Sequence, residues 1–518
     1  MGYTGRTSSE QPIPNGRNQG EVNDVWQKQY RAMSRAFSLP LFMAVVLTVA
    51  LAGAAWGQAP ESEGKVFQAG AAASNVTPPL GVSLGGSMRD RTATHIRDEL
   101  HARCLVLDDG DTRIALVLVD NCVIPRHIFD SAKELVQEET GIPADHVLMA
   151  ATHSHTTPTT TGIFQSEPNK DYIPFLIRRI ADGVRRAVNN LEPARIAWGS
   201  GNLPDEVFNR RWHLKPGTMP ENPFGTRDDK VKMNPPRGSE ALVRPAGPID
   251  PEIMFIAVES KDGRPIALLA NYSLHYVGGI PGNHVSADYF GVFADRIQEL
   301  LDADRLEPPF VGIMSNGTSG DINNINFREP RESKAPGEQM THVAHAAAEV
   351  VHKAYANLEW QDGVHLDAAA KELQLGVRLP TEEEVARGRE IMAAAEGPEM
   401  KSLAEIYARE TVLLSEYPEK VKLLVQALRI GDLSIAAIPC EVFAETGLEI
   451  KEKSPFAKTF TIELANGYNG YLPTPEQHAL GGYETWRARS SCLEVPASCA
   501  STTAVFELFD QLHPGESE

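Results

Sequence analysis

The chain has 518 residues, 42% of them hydrophobic, with 41 Gly and 36 Pro, enough to bury a large core in one domain or in several. Its 69 acidic and 49 basic residues give a formal charge of −20. That balance disfavours nucleic acid and anionic membrane surfaces as partners but leaves neutral or zwitterionic lipid open. The five cysteines contain no Cys-x-x-Cys, which excludes a cysteine-built zinc knuckle and a dithiol redox centre.

Residues 39–55 are almost wholly apolar, broken by Pro40, preceded by Lys28, Arg31 and Arg35, and end at Ala55-Trp56-Gly57. An apolar run of about 17 residues is short of the roughly 20 that a spanning helix needs. The expectation is a signal peptide over 1–57 with an extended n-region, Met33 as an alternative start and cleavage near Gly57. Such a protein is secreted or periplasmic and keeps no stable transmembrane anchor after cleavage. A linker at 58–65, one catalytic domain at 66–512 and a tail at 513–518 complete the division.

Residues 66–76 read as a strand leading into Thr77-Pro78-Pro79. Residues 100–108 and 112–120 form a hairpin around Asp109-Gly110-Asp111. A helix over 127–139 stops before Gly141, and the buried strand 147–151 follows. Helix 171–191 presents Phe175, Ile177, Ile180, Val184 and Val188 as its apolar face. Residues 213–248, rich in Pro, Gly, Lys and Arg, read as a long loop forming a site wall or lid. Residues 253–258 and 265–272 pair around Asp262-Gly263. Helix 287–301, strand 310–314 and helix 339–358 come next, with His342, His345 and His352 on the surface of the last. Residues 381–425 read as a helical insertion, and 427–431 pairs with 433–439 across Gly431-Asp432. Strands and helices mix without a strict βαβ rhythm, which predicts an α/β fold: a large mixed β-sheet flanked by helices in a single catalytic domain. Cys104, Cys122 and Cys440 read as buried thiols. Cys492 and Cys499 bracket a short Pro-containing loop and are candidates for a disulfide after export.

The chemistry concentrates at strand ends. Val147 to Ala151 runs straight into Thr152-His153-Ser154-His155, and an extended backbone would point both imidazoles to one side. Imidazole is both a metal ligand and a proton shuttle near neutral pH. His275 follows the apolar run Leu268-Leu269-Ala270, and Glu441 follows Ile438-Pro439-Cys440. Tyr471 closes the Gly-rich turn Gly467-Tyr468-Asn469-Gly470, with Tyr483-Glu484 downstream. Asp120 and Asp321 are strand-end carboxylates that either orient a ligand histidine or cap loops. His284, in Gly282-Asn283-His284, is either a site residue or a loop hydrogen-bonder.

With those segments in this order, the chain resembles the neutral/alkaline non-lysosomal ceramidase family from about Val66 to Leu508. The resemblance implies one Zn²⁺ per chain, held by His153, His275, Glu441 and Tyr471. It implies a lipid-like small-molecule substrate cleaved at its N-acyl amide, with a zinc hydrolase of another amide, an ester or a peptide as the alternative, and leaves oligomeric state open. His155 matches the second histidine of the family's motif and would serve as general base and acid. Asn209-Arg210 matches its Asn-Arg motif, with Asn209 shaping the turn. Arg210 and Tyr483 would donate to a developing oxyanion. Three features depart from the pattern. Asn323 stands where the family's nucleophilic serine is expected, so a metal-activated water attacks, or Ser319 or Thr318 substitutes, or activity is lost and a binding homologue remains. Cys440 replaces a glycine, and the family's C-terminal immunoglobulin-like domain is expected to be absent.

Overall fold

The computed structural model describes residues 65–330 and 332–513. The signal-peptide segment, all of the linker but Lys65, and the tail beyond His513 lie outside the described residues. No described helix is long and apolar enough to cross a membrane.

Eight strands form the larger sheet: β1 (Gln68–Asn75), β2 (His101–Asp108), β3 (Arg113–Val119), β4 (Val147–Ala151), β5 (Glu192–Asn202), β6 (Glu252–Ser260), β7 (Pro265–Tyr272) and β8 (Val311–Asn316), in the order β8-β7-β6-β5-β1-β2-β3-β4. The inner pairs are antiparallel, whereas β3–β4 and β7–β8 at the two edges are parallel. A parallel neighbour needs a crossover. Helix α1 (Arg126–Thr140) supplies the first, and α3 (Asp288–Leu300) the second; α2 (Tyr172–Asn189) joins β4 to β5.

A second sheet contains β9 (Leu366–Gly376), β10 (Lys420–Ile430), β11 (Leu433–Ile438) and β12 (Lys458–Glu463), in sequence order. Its parallel pair β11–β12 is again joined by a helix, numbered α7 (Ala444–Lys453). Between β8 and β9 lies α4 (Glu338–Tyr355), and between β9 and β10 lie α5 (Glu382–Ala394) and α6 (Leu403–Leu414). Both insertion helices start with a capping box, Thr381 with Glu384 and Ser402 with Glu405. The chain continues through α8 (Pro475–Leu480) to α9 (Ala497–Leu512).

Strand alternation builds the layers. On β2, Cys104 and Val106 face α1 and α2, while Leu105 and Leu107 face the second sheet. On β7, Leu268, Ala270 and Tyr272 face α3 and α4, while Ala267 and Leu269 face inward. Leu433, Ile435 and Phe460 answer them from the second sheet, whose other side packs α9 through Ala436, Ile438 and Phe509. The larger sheet curls until β8 nears β3 and β4. The segment running out of β12 takes up the free edge of β4: Ala151 N–H donates to Leu464 O at 3.2 Å and Asn466 N–H to Met149 O at 2.7 Å. Asn271 Nδ2 on β7 donates to Thr461 O at 3.1 Å. The carboxyl ends of β4, β7 and β11 therefore come together.

The mixed sheet, the hairpins at 109–111, 262–263 and 431–432, and helices α1 to α4 match the expectations from sequence. Four expectations need correction. The stretch 213–248 is not all loop, because Arg211–Leu214, Val231–Met233 and Leu242–Pro245 form a three-stranded sheet. Residues 420–425 belong to β10, so the helical insertion is shorter than 381–425. Phe175 on α2 is 42% exposed and is not part of the buried face. Cys492 and Cys499 are not bridged: Cys492 is buried against α9, whose first turn carries Cys499 out to solvent.

Candidate active site

Each of the three crossover units delivers one donor just past its first or last parallel strand: His153 after β4, His275 after β7, Glu441 after β11. The expected extended geometry at His153 does not hold. Strand β4 stops at Ala151, and His153 has φ 77°, a left-handed conformation uncommon outside glycine, though less so for asparagine, aspartate and histidine than for other residues. Its N–H donates to Asn121 O at 2.8 Å, which holds the turn. The two imidazoles meet because the chain doubles back, not because the pleat aligns them. Their rings stand edge to face, with His155 Nε2 3.1 Å from His153 Nε2.

Outer contacts fix the tautomers. His153 Nδ1 donates to Cys122 O at 2.8 Å, and His275 Nδ1 to Ser319 O at 3.1 Å with Ser319 Oγ at 3.2 Å. Both Nε2 atoms then carry their lone pairs inward, yet they lie 3.0 Å apart. Two lone pairs at that distance require a cation or a proton between them. Glu441 Oε2 sits 3.4 Å from His153 Nε2 and 3.9 Å from His275 Nε2. It is buried and has no hydrogen-bond partner among the described residues, while Oε1 accepts from Tyr468 OH at 3.1 Å. The three donor atoms all lie within 4.8 Å of one another. Donors about 2 Å from a shared ion in a tetrahedral shell sit roughly 3.3 Å apart, so the set fits a metal ion. Burial lowers the basicity of all three imidazoles. At His153 the Glu441 carboxylate more than offsets this and raises the pKa. At His155 and His275 burial and the neighbouring His153 act together and lower it.

Above the donors lies a cavity of about 230 Å³. Its polar wall holds His155, Arg210, Asn323, Tyr471 and Tyr483, and its apolar wall Met88, Ile163, Phe164 and Met233. Tyr471 pairs in register with Glu441 across a short parallel bridge. Arg210 Nη2 donates to Tyr471 OH at 3.2 Å and to Gly320 O at 2.8 Å. Its Nε is held by Glu484 Oε1 at 2.9 Å, and the other carboxylate oxygen takes Arg211 Nη1 at 2.6 Å. Burial pushes the Glu484 carboxyl up, but the two guanidiniums outweigh it and hold the pKa low. His155 is clamped, stacked on Tyr276 with centroids 3.7 Å apart and backed by Gly86. A Cβ on Gly86, which has φ +83°, would lie 2.5 Å from the His155 side chain.

Of the residues singled out in the sequence, His153, His155, His275, Glu441, Tyr471, Arg210, Tyr483 and Asn323 share this cavity. Ser319 lies behind His275, fully buried, and is not positioned as a nucleophile. Thr318 is packed against Gly447. Asp120 orients no histidine: its Oδ2 takes Arg103 Nη1 at 2.5 Å and His101 N–H at 2.8 Å. Asp321 accepts from Asn209 Nδ2 at 2.6 Å and from Ala444 N–H at 2.9 Å. It shapes the loop before Arg210 and touches no histidine. His284 lies outside the cavity, against His95 with ring centroids 4.6 Å apart. The insertion does not line the cavity; it buttresses the wall through Tyr407, which packs on Phe164 and Trp486. Sequence reasoning missed Glu463, Tyr276, Tyr468 and the role of Glu484. Tyr468 and Glu484 stand in motifs already conspicuous, whereas Glu463 follows the short mixed stretch Thr459-Phe460-Thr461-Ile462, which carries no distinctive local signal.

The family model described as neutral/alkaline non-lysosomal ceramidase, N-terminal, matches residues 67–335. That span contains His153, His155, Arg210 and His275 and stops short of Glu441, Tyr471 and Tyr483. Among solved structures, neutral ceramidase from Pseudomonas aeruginosa is similar with a TM-score of 0.66 at 18% identity, over 87% of this chain and 75% of that one. A structure titled as ceramidase complexed with C2 gives 0.65 at 16% identity, over the same shares. At these identities the likeness is one of fold.

Proposed function

Because the chain belongs to the neutral/alkaline non-lysosomal ceramidase family, we propose that it is a metal-dependent amidohydrolase cleaving the N-acyl amide of ceramide or a related lipid-like substrate. The observation that carries the reading is the meeting of His153, His275 and Glu441, from three separate crossover units, with Glu441 Oε2 unpartnered beneath the cavity. Two neutral imidazoles, a carboxylate and the nearby Tyr471 phenol form a nitrogen–oxygen set suited to Zn²⁺. Bound there, Zn²⁺ would polarise the amide carbonyl and lower the pKa of a water to about 7.

The chain's own groups do the rest. Arg210, fixed by Glu484, and Tyr483 face the cavity as donors to the oxygen on which charge develops. Their preorganisation matters because reorientation would otherwise be needed during the reaction. His155 is held neutral, with its Nε2 3.1 Å from His153 Nε2; it stands outside the His153–His275–Glu441 set, although with Cys122 and His153 it forms a second group able to hold a metal. It takes the proton of the attacking water and returns it to the leaving amine. Water as the attacking group is favoured because Asn323 carries an amide, engaged with Asn234 Oδ1 at 2.6 Å. The cavity's hydroxyls Ser87 and Ser490 make no hydrogen bond to a histidine among the described residues. Met88, Ile163 and Phe164 suit an aliphatic chain beside the amide.

The reading includes export by the 1–57 signal, checked by N-terminal sequencing of secreted material. The decisive experiment measures metal content and turnover of an N-acylsphingosine before and after chelation. One equivalent of zinc and activity restored by zinc are expected. Less than about half an equivalent bound, or turnover unchanged by chelation, overturns the proposal.

A further inference from the structure

We propose that Glu463 is a positioning residue that sets two of the metal donors at once, an inference that rests on the metal site proposed above. The carboxylate ends β12 and is fully buried. Four donors converge on it. Oε1 takes Ser319 Oγ at 2.7 Å and Asn316 Nδ2 at 2.8 Å, and Oε2 takes Val442 N–H at 2.7 Å and Ser319 N–H at 3.2 Å. Burial pushes the Glu463 carboxyl up to about 8, but all four contacts come from donors, and only an ionised carboxylate offers about four lone-pair positions and no proton, so the convergence saturates the ionised form.

The direction of these bonds has two consequences. Ser319 has one hydroxyl proton and spends it on Glu463, so toward His275 Nδ1 its oxygen can only accept. Together with Ser319 O, this forces the proton onto His275 Nδ1 and leaves Nε2 free to coordinate. On the other side, Val442 follows Glu441 directly, and anchoring its N–H fixes the backbone from which the Glu441 side chain projects. Gly320 allows the close approach this needs, since a Cβ there would lie 2.6 Å from Glu441 O. One side chain thus couples the end of β8, the loop behind His275 and the strand end carrying Glu441. Asp120 and Asp321, the strand-end carboxylates that stand out in the sequence, make no such contact.

The test is metal affinity of the full chain, stripped and titrated with Zn²⁺ against a chromophoric chelator, alongside the visible absorption of the Co²⁺ form. Glu463→Gln keeps shape but places an amide NH₂ against two donors, and weakening of about 10- to 100-fold in metal affinity is expected, with an altered Co²⁺ spectrum. Ser319→Ala, which leaves the carboxylate and backbone in place, should weaken affinity in the same direction and serves if Glu463→Gln fails to fold. A merely structural role would lower thermal stability while leaving affinity and spectrum as in wild type. Wild-type affinity in a folded Glu463→Gln, or in Ser319→Ala, overturns the inference and leaves the metal site standing. A wild-type protein that binds no metal overturns both.

Discussion

Replacing Glu484 by Ala is the most direct probe of how the cavity's polar wall is held. Its carboxylate is fully buried between Arg210 and Arg211, whose side chains are 5% and 0% exposed. Removing one partner of a buried ion pair costs about 3–5 kcal/mol, because the remaining charge is left without compensation. Arg211 keeps Gln477 Oε1, Gln477 O and Gly481 O as acceptors, and Arg210 keeps Gly320 O, so the middle of that range applies. A folded region of about 450 residues unfolds with an entropy near 0.9 kcal/mol/K, at roughly 2.1 cal/mol/K per residue. A loss of about 4 kcal/mol then lowers Tm by about 4 °C, readable by scanning calorimetry. Activity should fall further than stability accounts for. Arg210 loses the contact that aims it, and removal of one oxyanion donor typically costs about 10²–10³ in kcat. A Glu484→Ala protein with Tm within 1 °C of wild type, by the same per-residue scaling, and kcat within about threefold would refute both the ion-pair argument and the role given to Arg210.

Asn323→Ser should change kcat by less than about threefold, since the proposed attack needs no hydroxyl at 323; a gain of a hundredfold or more would mark the site as a degraded serine enzyme. Gly86→Ala drives a methyl group into His155 at a left-handed backbone position and should cut kcat by about 10²–10⁴ through loss of proton transfer, with metal content unchanged; unaltered turnover would show that His155 needs no clamp. Lys133, buried with its Nζ 2.8 Å from Asn466 Oδ1, has its pKa lowered by burial to about 8 from 10.5. Between those values the unfolded chain binds more protons than the folded one, so stability rises with pH there, by about 3 kcal/mol over the window. Lys133→Met should flatten that rise in urea titrations at pH 7.5 and 10.5, and an unchanged slope would rule out Lys133 as its source.

Strand-end His275 and Glu441 were legible because an apolar run ending in a ligand-type residue is a local pattern. So were the hairpins at Asp-Gly pairs and the helices α1 and α3, whose apolar spacing and flanking turns are local too. What the sequence hid is non-local. The left-handed turn at His153 comes from Asn121 and the end of the β3–β4 pair, far away in the chain. In sequence Ser319 reads as a substitute nucleophile, but its hydroxyl is committed to Glu463, and Glu463 lies on a strand that local patterning does not reveal. Asp120 has the composition of a histidine orienter but is claimed by Arg103 from the adjacent strand. Cys492 and Cys499 are close in sequence, yet the start of α9 turns one inward and the other out.

The pairing of residues 464–466 with β4 has a consequence for solubility. Val147–Ala151 is wholly apolar and buried, and as an uncovered sheet margin it would be a template for intermolecular strand addition. Its cover arrives only with residues near 460, so a nascent or truncated chain ending before Lys458 leaves this sticky border bare. Such fragments should precipitate rather than persist as inactive monomers, however intact the ceramidase-family N-terminal half is.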